Sequence, residues 1–420
     1  MSFTSLNLHP TLLRAVDALG FTAPTPIQRD AIPLARAGRD VLACAMTGSG
    51  KTAAFLLPIV ERLMSRPRGV TRALVIAPTR ELAAQIEADL RDLARFTPVK
   101  GAAVFGGVGM GPQEAALRRG IDVIVATPGR LLDHMQYPYA RLDGLEVLVL
   151  DEADRMLDMG FLPDIRRILG RLPAQRQTLL FSATMPAPIA ALAREFLRDP
   201  VAINQERKAA PATGITHAVY PVPQELKSPL LVSLLRGEDL RSVLVFTRTK
   251  HRCNRLAEQL TRQGIAAERI HGNRSQAQRT MALDAFKRGK CRVLVATDIA
   301  ARGIDIDELS HVVNFDVPGV PEDYIHRAGR TARAGAVGDA ITFAAPDEMG
   351  ALKAIERAVG KPLPRATLPG FDYARRPAEA LEVPLGQRIA AIRARRAEER
   401  ARARINAERR SAQLVGRPGR

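Results

Sequence analysis

Cysteine is scarce and unpatterned in this 420-residue chain. Cys44, Cys253 and Cys291 are odd in number, far apart and outside any Cys-x-x-Cys spacing, which argues against a disulfide framework or a zinc site and fits a reducing compartment. No run of about 18 apolar residues occurs, so no membrane-spanning helix is expected. Residues 1–10 lack the basic start and apolar stretch of a secretory leader, and the cytoplasm is the expected location. The 31 glycines and 29 prolines are too few and too scattered for a low-complexity chain. Acidic residues also fall short: 44 Asp and Glu face 62 Lys and Arg, a net charge of +18. That excess favours a polyanionic partner, nucleic acid or an anionic membrane surface. It is uneven, because residues 387–420 hold 11 Arg and 3 Glu.

What is present suffices for two or three domains with large cores. Short β-branched and Leu-rich runs alternate with longer helical patterns, the signature of parallel sheets covered by helices on both faces. In the first half the runs fall at residues 40–45, 73–77, 122–126, 147–150 and 178–181, and in the second at 242–247, 292–297, 311–315 and 340–343. The expected fold is α/β: two tandem doubly wound parallel-sheet domains at 1–203 and 215–365. A polar, aperiodic linker at 204–214 joins them, and a basic, arginine-rich extension follows at 366–420.

One segment reads Ala45-Met46-Thr47-Gly48-Ser49-Gly50-Lys51-Thr52 between an apolar strand and a helix, the context of a phosphate-binding loop. Small residues let the backbone N–H groups of Thr47, Gly48, Ser49 and Gly50 turn toward phosphate oxygens. Lys51 reaches the β and γ phosphates, and the Thr52 hydroxyl suits Mg²⁺. Ala45 stands where the usual pattern has its first Gly, so a plain Gly-rich turn is the alternative for the octet alone. A hundred residues later Asp151-Glu152-Ala153-Asp154 follows an apolar strand directly, at the carboxyl end where ligands sit in open α/β sheets. Asp151 suits Mg²⁺, and Glu152 suits the base that orients and deprotonates an attacking water. Alone, the tetrapeptide could also be a helix start with acids favouring its dipole.

Together these motifs resemble the DEAD-box family of RNA helicases, and the resemblance runs from Phe3 to about Phe371. It implies two RecA-like domains, ATP with Mg²⁺ as cofactors, and RNA as a backbone-held, sequence-tolerant partner. Gly20 to Gln28 (GFTAPTPIQ) is similar to the family's adenine-reading motif, with Gln28 for the base edge and Phe21 for stacking. By resemblance the RNA backbone is held by Arg80, Gly106, Gly107, Thr127, Gly129 and Arg130 in the first domain. In the second it is held by Arg248, Gln276, Arg279, Thr297 and Gly303. Arg and backbone contacts of this kind carry charge but no base information. Ser182-Ala183-Thr184 resembles the motif linking nucleotide state to unwinding, coupling through Asp154 and His326.

The second domain has no phosphate loop of its own. His326-Arg327-Ala328-Gly329-Arg330-Thr331-Ala332-Arg333 resembles the family motif whose later arginines, Arg330 and Arg333, reach the γ-phosphate across the cleft, and Ala332 stands where the family usually has Gly. Asp305 is the expected ribose acceptor. Residues 349–371 look like the end of the core in RhlE-type bacterial members. The expected activity is ATP-dependent separation of RNA strands or remodelling of RNA–protein complexes, in ribosomal or RNA-decay assemblies. An ATP-gated RNA clamp or scaffold and a DNA helicase on the same plan are the alternatives.

Overall fold

The computed structural model describes residues 2–45, 48–203, 214–237, 240–301, 309–331 and 337–374. Thr47, Gly303, Asp305, Ala332 and Arg333 lie outside the described residues, as do the linker up to residue 213 and the basic extension from residue 375.

Two wholly parallel sheets are present among the described residues. The first contains β1 (Val41–Cys44), β2 (Ala73–Ile76), β3 (Gly101–Val104), β4 (Val123–Ala126), β5 (Val147–Leu150), β6 (Gln177–Ser182) and β7 (Val201–Ile203). Its spatial order is β3-β4-β2-β5-β6-β1-β7. The second contains β8 (Ile215–Pro221), β9 (Val243–Phe246), β10 (Ala267–Ile270), β11 (Val293–Ala296), β12 (His311–Asn314) and β13 (Gly338–Ala344), in the order β10-β11-β9-β12-β13-β8.

Interior strands are apolar on both faces because both faces are covered. Val147 and Val149 enter one core while Leu148 and Leu150 enter the opposite one. Val243 and Val245 are separated in the same way from Leu244 and Phe246. Since successive strand side chains point to opposite faces, a continuous apolar run serves two cores at once.

The strand order sorts the motifs. Every crossover returns the chain to the same edge, so all loops with a motif leave carboxyl ends. Neighbours β5, β6 and β1 deliver Asp151, Ser182 and the phosphate loop. Neighbours β3, β4 and β2 deliver Gly106, Thr127 and Thr79. One half of the sheet edge thus carries the nucleotide motifs and the other half the expected RNA motifs. In the second domain, Leu368, Phe371 and Tyr373 pack against the β9 and β13 core, and Val219 bridges to Arg365, so the chain through Ala374 lies on that domain. No helix among the described residues is long and apolar enough to cross a membrane.

Candidate nucleotide and RNA site

The phosphate loop turns at Gly48 and Gly50, with φ of 81° and 86°. A Cβ on Gly50 would meet Gln28 Nε2 at 2.6 Å and Thr25 Oγ1 at 3.0 Å, so the position needs glycine for both its backbone and its neighbours. Gln28 itself is buried. Its Nε2 donates to the Gly50 carbonyl at 2.9 Å, and its Oε1 accepts from Thr25 N–H at 3.0 Å, closing a capping box. The amide expected to read a base therefore also ties the phosphate loop to the helix Pro26–Arg36. One N–H and one lone pair remain for a base edge. Phe21, 41% exposed, lies with its ring 6.3 Å from that of buried Phe3 and presents a face to solvent.

Lys51 opens the helix Lys51–Met64 and is buried. Its Nζ lies 3.1 Å from Asp151 Oδ1 and 3.9 Å from Glu152 Oε1. Burial pulls the ammonium down, but the two carboxylates and the hydrogen bond to Asp151 outweigh it and leave Lys51 above the ordinary lysine value. Burial, with Glu152 beside it, pushes Asp151 up against the pull of Lys51. Asp151 Oδ2 is buried without a hydrogen-bond partner. A hard cation fits that orphaned oxygen, and Thr52 sits one residue beyond Lys51. No cluster of three metal-ligating side chains occurs among the described residues, as expected for Mg²⁺ held by few protein oxygens and by phosphates.

Glu152 adopts φ 52°, ψ 52°, a left-handed conformation costing a non-glycine residue roughly 1–2 kcal/mol. Its side chain is paired with Arg155 Nε at 3.3 Å. Asp154 is gripped by the β6 end: Asp154 N–H donates to Ser182 Oγ at 3.1 Å, and Thr184 N–H and Oγ1 donate to Asp154 Oδ2 at 2.8 and 2.9 Å. The Ser-Ala-Thr segment is thus fixed to Asp154.

The second domain closes on this group. Arg155 from the first domain shares a cleft with His326 and Arg330. His326 is pushed down to about 4 by burial, with Arg155 and Arg330 adding to it and Asp154 and Glu152 opposing it. Arg330 is buried. Its neighbour Arg327 is a structural tether: it forms a bidentate pair with Asp298 at 2.5 and 2.8 Å and donates to Asn314 Oδ1 and the Asp316 carbonyl.

The expected RNA residues divide. The Arg80 guanidinium lies against the Gly106-Gly107 turn, where a Cβ on Gly107 would come 2.0 Å from Arg80 Nη1. The close approach these glycines permit is that of Arg80. Arg130 donates to the Val108 carbonyl at 3.1 Å, Thr127 caps the helix Pro128–His134, and Gly129 faces open space. Gln276 and Arg279 meet Glu81 of the first domain, each at 3.0 Å, an interdomain contact. Arg248 keeps its side chain 55% exposed while donating to Glu348 Oε1 at 2.8 Å. Thr297 is half-buried at the end of β11. Glu81, Arg155, Glu348 and Asp298 are residues whose contacts the sequence reading did not anticipate. Glu81 directly follows Arg80 in the sequence, but nothing local marks an acid as a contact to another domain.

Residues 25–192 match the DEAD/DEAH box helicase family model and residues 226–335 the helicase conserved C-terminal domain. The DEAD-box ATP-dependent RNA helicase CshA of Bacillus subtilis is 44% identical over 374 residues, 89% of this chain and 76% of that protein. This chain belongs to the DEAD-box family. Among solved structures, Saccharomyces cerevisiae Dbp5 bound to RNA and ADP BeF3 is 31% identical, covers 87% of this chain and 95% of that one, and superposes with a TM-score of 0.80. A DEAD box protein from Methanococcus jannaschii covers the same 87% of this chain and 99% of its own with higher identity, 38%, yet scores only 0.52. At equal coverage, the whole-chain superposition is thus closer on the RNA- and nucleotide-bound yeast protein than on the archaeal one.

Proposed function

We propose that this DEAD-box protein is an ATP-dependent RNA helicase that couples ATP binding and hydrolysis to local separation of RNA strands. The observation that carries the reading is the split site: Lys51, Asp151 and Glu152 stand on one sheet edge, and His326 and Arg330 come from the other domain. Hydrolysis therefore needs closure, and a strand held by both domains favours closure.

In this reading Lys51 and the N–H groups of residues 47–50 bind the phosphates, while Gln28 and Phe21 select and stack the base. Glu152 takes the proton of the attacking water, Asp305 holds the ribose, and Arg330 with Arg333 neutralises charge developing on the γ-phosphoryl group. Asp151 and Thr52 would hold Mg²⁺, which, when bound, neutralises phosphate charge. The RNA backbone lies along Arg80, Arg130, Thr127 and Gly129 with Gly106 and Gly107, then along Arg248, Thr297 and Gly303. Gln276 and Arg279 serve it indirectly by joining the domains through Glu81. Ser182, Thr184, Asp154 and His326 connect the two events.

The domain limits proposed are 1–203 and 215–365, with the linker between them and the basic extension at 366–420 after them, whose arginine-rich arm at 387–420 acts as an RNA tether. Cytoplasmic location and a role in ribosomal or RNA-decay assemblies belong to the same proposal. The RhlE-like subgroup rests on residues 349–371 alone, whereas the bacterial relative reported above is a CshA protein. The test is ATP turnover measured with RNA and with DNA of equal length, alongside strand separation of RNA duplexes. Stimulation by RNA above DNA, with strand separation, is expected; equal stimulation by both would overturn the reading.

A further inference from the structure

Arg155 is the buried charge for which the proposed mechanism has no use. It follows the Asp151 to Asp154 tetrapeptide directly, in the short helix Ala153–Asp158, where an Arg beside acids would ordinarily be solvated. Instead it is 3% exposed. Its Nε reaches Glu152 Oε2 at 3.3 Å, and its Nη2 finds no acceptor among the described residues. Burying a guanidinium with one carboxylate contact and an idle N–H among the described residues is unfavourable, so something outside the helix must enforce it.

That something is the second domain. The cleft around Arg155 is lined from the other side by Asp298, Asp323, His326 and Arg330. Parting the halves would return the guanidinium to water, and joining them removes water from around the Arg155 and Glu152 pair. A charge pair strengthens as its surroundings lose water. The Glu152 carboxylate, on a backbone already in a left-handed conformation, is then held from one side by Arg155 and faced from another by Lys51. His326 is neutral at physiological pH, so its ring can stand against the guanidinium without repulsion.

Resting on the function proposed above, we propose that Arg155 is a positioning residue that fixes the Glu152 carboxylate only when the second domain, through His326, closes over it. Arg155 touches neither phosphate nor water in this scheme. It converts domain closure into the placement of the base.

A double-mutant cycle tests this, with R155Q, H326A and the double variant measured for kcat and KM for ATP at saturating RNA, and for the RNA concentration giving half-maximal stimulation. R155Q is expected to lower kcat by about tenfold with the KM for ATP changed less than about twofold. The double variant should depart from additivity by at least about threefold, as contacting residues do. R155K keeps the charge but not the planar fork and should recover part of kcat; the cycle run with R155K gives the same reading if R155Q does not fold. Additive effects, or a raised KM with kcat intact, would overturn the inference while RNA-stimulated turnover of the wild type left the proposed function standing. A wild type without RNA stimulation would overturn both.

Discussion

Thr184 Oγ1 and Thr184 N–H both donate to a single oxygen of Asp154, at 2.9 and 2.8 Å, so the end of β6 is pinned to the segment that carries Glu152. Asp154 Oδ1 accepts from the Arg155 N–H at 3.0 Å. The carboxylate therefore has donors from two strand ends of the first domain and lies beside His326 of the second. Within the first domain, Ser182, Thr184 and Arg155 are thus joined to Asp154 by hydrogen bonds.

Thr184→Val keeps the backbone donor and removes the hydroxyl, a loss of about 1 kcal/mol. ATP turnover should persist while strand separation per ATP falls several-fold, as checked by running both assays on one duplex. Parallel loss of both activities would place Thr184 in the hydrolysis step itself.

Replacing Glu152 by Gln removes the proposed base but keeps size and hydrogen bonding. Turnover should drop by at least about a hundredfold, with ATP and RNA affinities within a few-fold of the wild type. Near-normal turnover would assign the proton to another group.

Gly50→Ala puts a methyl group 2.6 Å from Gln28 Nε2 on a backbone with φ of 86°. The strain of about 1–2 kcal/mol should lower Tm by about 2–8 °C, and displacement of Gln28 should weaken nucleotide binding as well. Calorimetry and titration with a fluorescent ATP analogue read the two effects separately. An unchanged affinity would mean that the Gln28 tie to the loop is dispensable.

Acid should open the cleft. Burial holds His326 at about 4 in this closed arrangement, below the usual 6.5, so the closed form favours the neutral ring. Closure is unaffected above pH 6.5 and loses up to ~1.4 kcal/mol per pH unit between 6.5 and 4. RNA affinity in the presence of a non-hydrolysable ATP analogue should decline below pH 6.5, and His326→Asn should flatten that decline. A wild-type profile that is level down to pH 5 would remove His326 from the closure equilibrium.

The interior of both sheets was legible in the sequence and their edges were not. The nine apolar runs correspond to β1, β2, β4, β5, β6, β9, β11, β12 and β13. The four strands without a run, β3, β7, β8 and β10, are the outermost of each sheet. An edge strand packs less fully, so Gly-Ala-Ala-Val in β3 and Ala-Glu-Arg-Ile in β10 carry no continuous apolar signal. The site divides in the same way. Lys51, Asp151 and Glu152 could be read because phosphate and metal chemistry demands those residue types directly after strands. Arg155 and Glu81 could not, because each owes its role to a surface contributed by the other domain. Gln28 was read for its base edge, but its tie to Gly50 depends on two helices meeting, which no local pattern encodes.

One thermodynamic linkage underlies the proposed function: nucleotide and RNA favour the same closed arrangement. The most direct measurement is the affinity for single-stranded RNA with and without a non-hydrolysable ATP analogue, paired with the affinity for that analogue with and without RNA. Each ligand should tighten the other by one common factor, of order tenfold or more. Two affinities that ignore each other would contradict a site built from two closing halves.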